Sequence, residues 1–245
     1  MIVGKNIEID TAKWERSTER YVGFIDIMGF KDMVTRTNAE VLYIIMHRIR
    51  NSIFQNVFIH GTDMPEEGKY ESNINIIMFS DCIVTFSKDK SDEALQSFIN
   101  AISGLTNDLI RNRIPFKGVV AAGIMTVDFK NSIFFGNPLN DAYELHDELG
   151  FYGVVVHATA DELIRNSGNT HIFEYNCPFK KELSRNLTIS PEFLETDLIS
   201  NHSYQQYYVS IEDLRSKTPE HLQMYIDKTL QYLEVFKNEC REIVE

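Results

Sequence analysis

Apolar residues recur along this chain in two rhythms, short unbroken runs and stripes at helical spacing, and the order in which they alternate predicts the fold. Tyr21 to Met28 is an apolar run stopped by Gly29 and predicts a buried strand. Glu40 to Phe58 sets Val41, Ile44, Ile45, Arg48, Ile49 and Ser52 at mixed helical spacing and predicts an amphipathic helix. Gly61 to Ser72 is polar, with Gly61, Pro65 and Gly68 as breakers, and is expected as a loop. Ile74 to Phe79 and Ile83 to Phe86 then read as two strands joined by Ser80-Asp81, a hairpin with a carboxylate at its tip.

Ser91, Asp92 and Glu93 start a helix whose stripe is Leu95, Phe98, Ile99, Ile102, Leu105 and Leu109; it runs to Asn112, with Pro115 beyond. Phe116 to Val127 is a long strand, Pro138 to Leu149 a helix stopped by Gly150, Val154 to Val156 a short strand, and Ala158 to Arg165 a further helix. The order β-α-β-β-α-β with additions is the ferredoxin-like motif, an α+β fold with an antiparallel-rich sheet and helices on one face. Residues 166 to 204 lose periodicity and collect Asn, Ser, Pro and charge, so little regular structure is expected there. Tyr207 to Ile211 suits a strand. Pro219 to Val244 suits a terminal helix, with Leu222, Tyr225, Ile226, Thr229, Leu230, Leu233 and Phe236 on one stripe. That stripe covers too few heptads for a coiled coil, so the helix is expected to pack on its own core.

Composition narrows the class. With 245 residues and 43% hydrophobic content, the chain can bury a full core and suits one domain with an extension. A formal net charge of -12 repels polyanions, and the Lys and Arg residues are scattered rather than gathered into a stripe, so neither nucleic acid nor an anionic membrane is an expected partner. The three cysteines, Cys82, Cys177 and Cys240, form neither a CxxC pair nor a metal-ligand spacing with His, which suits a reducing cytoplasm. Met1-Ile2-Val3-Gly4-Lys5 meets charge within a few residues, and no apolar stretch approaches the roughly 18 residues that span a bilayer. A soluble, unexported protein is expected.

Chemistry enters at two carboxylates. Asp26 interrupts the run from Phe24 to Phe30, and Asp81 the run from Ile76 to Phe86. A carboxylate carried into apolar surroundings shifts its pKa, finds a hydrogen-bond partner or binds a cation. Two of them on neighbouring strands make a site for a hard divalent metal, which completes its shell with water and substrate phosphates. Alone, Asp26 beside Gly29 also suits a turn cap, Asp81 an ordinary hairpin, and Asn140 a helix start near Pro138. Gly118 and Gly123 have the spacing of half a phosphate loop, but Ile124-Met125 follows where Lys-Ser/Thr is required. None of the seven histidines forms a triad or an HExxH pair.

Taken together, Asp26, the strand-tip Asp81, Lys117-Gly118 opening a strand that reaches Gly123, and Gly136-Asn137-Pro138-Leu139-Asn140-Asp141-Ala142 resemble the class III nucleotidyl cyclase catalytic domain in order and spacing. The resemblance covers residues from about 20 to 160, and implies a catalytic domain over 18–165 with an extension over 166–245 packing on it. It implies that Asp26 and Asp81 bind two divalent cations, Mg2+ or Mn2+, with the Ile27 carbonyl assisting. The amides after Asp26, at Ile27, Gly29 and Phe30, would hold a nucleoside triphosphate. Asn140 would support the transition state across a homodimer with composite sites. Lys117 stands where the family usually has an arginine for the polyphosphate, keeping the charge but losing the bidentate fork.

The departures refine the reading. The positions from which family members select a purine are Ile77 and Ile133 here, and neither can hydrogen-bond a base edge. Glu144 replaces the arginine expected four residues after the asparagine. The segment Asn140-Asp141-Ala142-Tyr143-Glu144-Leu145 is similar to that of the compact uridylate/cytidylate cyclases of bacterial anti-phage Pycsar systems. The resemblance thus implies a cytoplasmic enzyme that turns UTP or CTP into a cyclic mononucleotide, read by a separate effector protein. An adenylate or guanylate cyclase with a rebuilt base pocket, and a catalytically silent nucleotide-binding domain, stay open beside it.

Overall fold

In the computed structural model, which describes residues 7–59, 68–191 and 201–242, the apolar runs become strands of one sheet. The strands are β1 (Ile7–Ile9), β2 (Ser17–Ile27), β3 (Gly68–Tyr70), β4 (Ile74–Phe79), β5 (Cys82–Ser87), β6 (Phe116–Asp128), β7 (Ile133–Gly136), β8 (Gly153–Val156), β9 (Ile172–Pro178) and β10 (Leu183–Ile189). The helices are α1 (Phe30–Arg36), α2 (Ala39–Ile59), α3 (Asp92–Arg111), α4 (Asn137–Glu148), α5 (Ala158–Arg165), α6 (Asn201–Glu212) and α7 (Gln223–Glu242). The eight-stranded sheet has the order β4-β5-β2-β6-β8-β10-β9, with β7 paired to β6; β1 and β3 form a separate parallel pair. Only β6 and β8 run parallel within the large sheet, and the β-α-β-β-α-β core is β2, α2, β4, β5, α3 and β6.

Alternation along β2 sorts residues between two faces. A Cβ placed on Gly23 would meet Phe98 and Ile102 of α3, so Tyr21, Gly23, Ile25 and Ile27 look toward the helical layer of α2 and α3. This is the main core. Phe24 looks the other way, its ring 5.5 Å from Tyr143 and 4.7 Å from His146 on α4. The two core helices share one face, as the motif requires, and α4 is an addition on the opposite one. α7 joins that opposite face further along, where the Tyr232 hydroxyl meets Thr188 Oγ1 of β10 at 3.0 Å. Ile226, Thr229, Leu230, Leu233 and Phe236 of α7 are buried, so the terminal helix packs on its own chain as its stripe predicts.

Three sequence expectations are corrected. The region from 166 to 204 holds the paired strands β9 and β10, which extend the sheet; residues 192–200 lie outside the described residues. Charge hid these strands, because half-buried Glu174 and exposed Arg185 form a cross-strand ion pair on the sheet. Tyr207 to Ile211 is helical, since Tyr207, Ser210, Ile211 and Leu214 are buried at helical spacing while Tyr208 and Val209 face out. Of the loop expected over Gly61 to Ser72, residues 68–70 are strand β3, and 61–67 lie outside the described residues, as does the expected helix end at Val244. The short helix α1 gave no sequence signal. Among the described residues, no helix is long and apolar enough to cross a membrane.

Where β2, β6 and β8 meet, side-chain space is fully used. A Cβ on Gly118 would lie 2.8 Å from Ile25 Cγ1, 3.0 Å from Val154 Cγ2 and 3.3 Å from the Phe24 carbonyl oxygen. Gly118→Ala is therefore expected to destabilise the chain by about 1–3 kcal/mol through overpacking, read as a lowered midpoint of denaturant unfolding. An unchanged midpoint would mean that the three strands can separate at no cost.

Candidate active site

β2 is the central strand of the core, and its last turn of pairing sets the site. Asp26 lies directly opposite Cys82 on β5 and Lys117 on β6, so all three side chains share the face that carries Phe24. Asp81 sits in the two-residue turn between β4 and β5, where Ser80 takes a left-handed φ of 57°. That conformation costs a non-glycine residue about 1–2 kcal/mol. The turn is pinned to β2 by the Ile27 amide, which donates to the Asp81 carbonyl at 2.9 Å. One oxygen each of Asp26 and Asp81 and the Cys82 sulfur consequently lie within 4.8 Å of one another. A divalent cation fits this donor set, two hard carboxylates with a thiol beside them.

Electrostatics inside the cluster are unbalanced. Burial pushes the Asp26 carboxyl above the usual carboxylate range; His146 and Lys117 oppose the shift, and Asp81 and Asp147 add to it. Burial also raises the Cys82 thiol to about 11, with both carboxylates contributing. Lys117 is only 4% exposed, and burial lowers its pKa although Asp147, Asp26 and Glu148 favour its charge. Its ammonium donates to the Asp147 carbonyl at 3.4 Å and lies 5.9 Å from the centroid of the Tyr225 ring on α7.

His146 is a site residue that sequence reasoning missed. It is buried against Phe24 and Tyr143, and its Nδ1 hydrogen-bonds the Tyr143 carbonyl, which as an acceptor fixes the proton on Nδ1. Burial lowers its pKa, so it is held toward the neutral form. The signal was present: Pro138, Ala142 and His146 recur every fourth residue as the buried stripe of α4. Asp147, paired with Lys180 at 2.9 Å, was likewise unmarked.

The remaining expected residues scatter. Gly29, with φ of 71°, turns the chain from β2 into α1, and Phe30 begins that helix. The Ile27 and Met28 amides are engaged by the carbonyls of Asp81 and Pro115. Ile77 shares the site face through its register with Val84 and Phe24, and packs on a second apolar cluster of Val22, Phe86, Met125 and Val127. Asn140 is exposed on α4, about 9 Å along the helix axis from His146, toward the end where Pro138 covers Gly123. Ile133 pairs with Asp128 at the far end of β6. Within one chain, neither Asn140 nor Ile133 joins Asp26 and Asp81.

Neither a protein-family model nor a curated protein matches the sequence. Among solved structures, the chain is similar to the guanylate cyclase domain of RhGC from Catenaria anguillulae in complex with GTP, at 11% identity over 73% of this chain and 100% of that one, with a TM-score of 0.51. It is similar also to the catalytic core of a rhodopsin-guanylyl cyclase with converted specificity in complex with ATPαS, at 11% identity over 71% of this chain and 98% of that one, with a TM-score of 0.50. At such identity the likeness is one of fold: the core is that of a cyclase catalytic domain, and the C-terminal helices extend beyond it.

The raised pKa of Asp26 has a definite sign for stability. Between the ordinary carboxylate value and the raised one, the folded state binds the proton more readily than the unfolded state, so folding weakens as pH climbs through that window. In chelator, Asp26→Asn is therefore expected to melt higher than the wild type at pH 7, the gap closing toward the ordinary carboxylate range. Manganese should raise the wild-type melting temperature more than that of the variant. A variant that melts lower at pH 7 in chelator would mean that the protein alone already pairs this carboxylate.

Proposed function

We propose that the chain is a pyrimidine nucleotide cyclase, converting UTP or CTP into a 3′,5′-cyclic mononucleotide and pyrophosphate. The observation that carries this reading is the convergence of Asp26 and Asp81 on the end of the central strand of a cyclase fold, with the buried Lys117 opposite Asp26 on the next strand. In the reaction, the ribose 3′-oxygen forms a bond to the α-phosphorus as the bond to the pyrophosphate oxygen breaks, and the hydroxyl proton departs to solvent. Asp26 and Asp81, with the Ile27 carbonyl, would hold two divalent cations, Mg2+ or Mn2+. Such ions lower the pKa of an attacking hydroxyl and neutralise a leaving pyrophosphate.

The chain's own groups then bind and orient. Lys117 offers its charge to the polyphosphate. The backbone amides available to the phosphates begin at Gly29 and Phe30, since those of Ile27 and Met28 are engaged. No side-chain nucleophile is needed, because the nucleophile belongs to the substrate. Residues 18–165 form the catalytic domain in this reading and 166–245 its extension. The product would act in the cytoplasm as a messenger read by a separate effector, in defence against phage.

A second copy of the chain completes the site. Asn140 is exposed and lies off the buried stripe of α4, and the β6–β7 hairpin presents Ile124 (66% exposed), Ile133 (49%) and Phe135 (59%) on one face, an apolar surface suited to a partner. Two chains paired head to tail about a two-fold axis would set Asn140 and Ile133 of each against Asp26, Asp81 and Ile77 of the other. Asp26→Ala and Asn140→Ala chains should each lose roughly a thousandfold or more in turnover while remaining folded. Mixed in equal amounts, they should recover up to about a quarter of wild-type activity, since half the dimers then hold one intact site. Full activity in a monomer, measured by light scattering during turnover, would refute the composite site.

Base choice follows from Ile77 and Ile133. Purine edge groups desolvated against them without partners cost about 1–3 kcal/mol each. With manganese and each of the four ribonucleoside triphosphates, products identified by mass should form fastest from UTP, then CTP. Faster turnover of ATP or GTP would favour the alternative, a purine cyclase with a rebuilt pocket; the two similar structures hold purine nucleotides, GTP and ATPαS.

A further inference from the structure

Phe79 closes β4 and is 80% exposed, the most open of the large apolar side chains among the described residues. Its position makes that exposure informative. Phe79 pairs with Cys82, Cys82 with Asp26, and Asp26 with Lys117, so a single row across four strands carries an aromatic ring, the two-carboxylate cluster and a cation, all on one face. Strands lie about 4.8 Å apart, which sets Phe79 about 10 Å from Asp26 on one side and Lys117 about 5 Å from it on the other. A nucleoside triphosphate presents its groups in the same order: a flat base, the reacting α-phosphate, and the terminal phosphates.

We propose that Phe79 is the platform on which the base of the substrate stacks, with Ile77, two residues earlier on the same face, as the apolar wall beside it. This rests on the cyclase reading and adds to it the base-recognising surface of the subunit that holds Asp26 and Asp81. A stack reads the face of a ring and leaves its edges unread. It therefore holds a base in a site where neither Ile77 nor Phe79 can hydrogen-bond one. The order of the row also fixes polarity: the base lies over the β4–β5 hairpin at the sheet edge, and the phosphates run inward past Asp26 toward Lys117.

The test separates base from phosphates. Binding of 3′-deoxy-UTP, which lacks the attacking hydroxyl, and of inorganic tripolyphosphate, which lacks a base, is measured by calorimetry with manganese on the 245-residue chain. Phe79→Ala is expected to weaken 3′-deoxy-UTP about tenfold and to leave tripolyphosphate within about twofold, with an unchanged melting temperature because the side chain is exposed. Phe79→Trp should restore binding, and its fluorescence, read above that of the single native Trp14, should be quenched on addition of the nucleotide. Equal effects on both probes, no effect on either, or dissociation of a wild-type dimer into Phe79→Ala monomers would overturn the stack. A wild type that binds tripolyphosphate but none of the four 3′-deoxynucleoside triphosphates would overturn the cyclase reading itself.

Discussion

The site depends on one electrostatic imbalance, a half-buried carboxylate at the end of the central strand with a second carboxylate beside it. Burial alone disfavours the Asp26 anion, and Asp81 adds repulsion. The protein's cations answer weakly, because the same burial that penalises Asp26 also penalises Lys117 and His146 in their charged forms. Lys117 is moreover shared, since its ammonium leans on the Asp147 carbonyl and the Tyr225 ring. Deep pairing of charges repays its desolvation only when geometry and hydrogen bonding are nearly complete. Here they are not, and a cation from solution is the simplest group that would complete them.

The sheet is what makes this imbalance affordable. Alternation on β2 sends Tyr21, Ile25 and Ile27 into the core under α2 and α3, and the apolar burial gained there offsets the polar cost on the other face. Gly118 lets β2, β6 and β8 close tightly beside Lys117, so the charged row is supported by rigid strands rather than by loops. The segments beyond the cyclase core complete the support. β10 and β9 widen the sheet, and α7 lays Tyr225 against the Lys117 ammonium while Thr229 Oγ1 accepts the Tyr152 amide at 2.8 Å.

How much of this could be read in the sequence depended on whether a residue's role was local. β2, the β4–β5 hairpin, α3, β6, α4, β8 and α5 announced themselves because each has a buried face wide enough to impose a period, and Ser91 caps α3 as expected, accepting from the Ala94 amide. β9 and β10 lie where the sheet is more polar, and their Asn, Glu and Arg residues imitate a loop. Within α6, the cluster of Tyr, Val and Ile from Tyr207 to Ile211 suits a strand by composition, although its buried positions follow a helical period. Asp26 and Asp81 were legible because a carboxylate stands out in an apolar run. His146 was not, since a histidine on a helix stripe is conspicuous only when the surface facing it is known, and that surface is assembled from β2.

α4 shows why the two ends of the sheet need not stay independent. Its inward stripe ends at His146, which lies against Phe24 and contributes to the field at Asp26 of the same chain. Its outward side carries Asn140, Tyr143 and Glu144, all exposed. In the head-to-tail dimer we propose, that outward side faces the other chain's metal site, so a single rigid helix touches both sites at once. Tyr143 links the two sides, because its carbonyl fixes the His146 ring while its own ring packs on Phe24 and is still largely open to a partner. A shift of α4 that seats Asn140 on one site would move His146 relative to Asp26 in the other. In that proposed dimer α4 would therefore supply a mechanical path between the two sites, with no element needed beyond the helix that helps to build them.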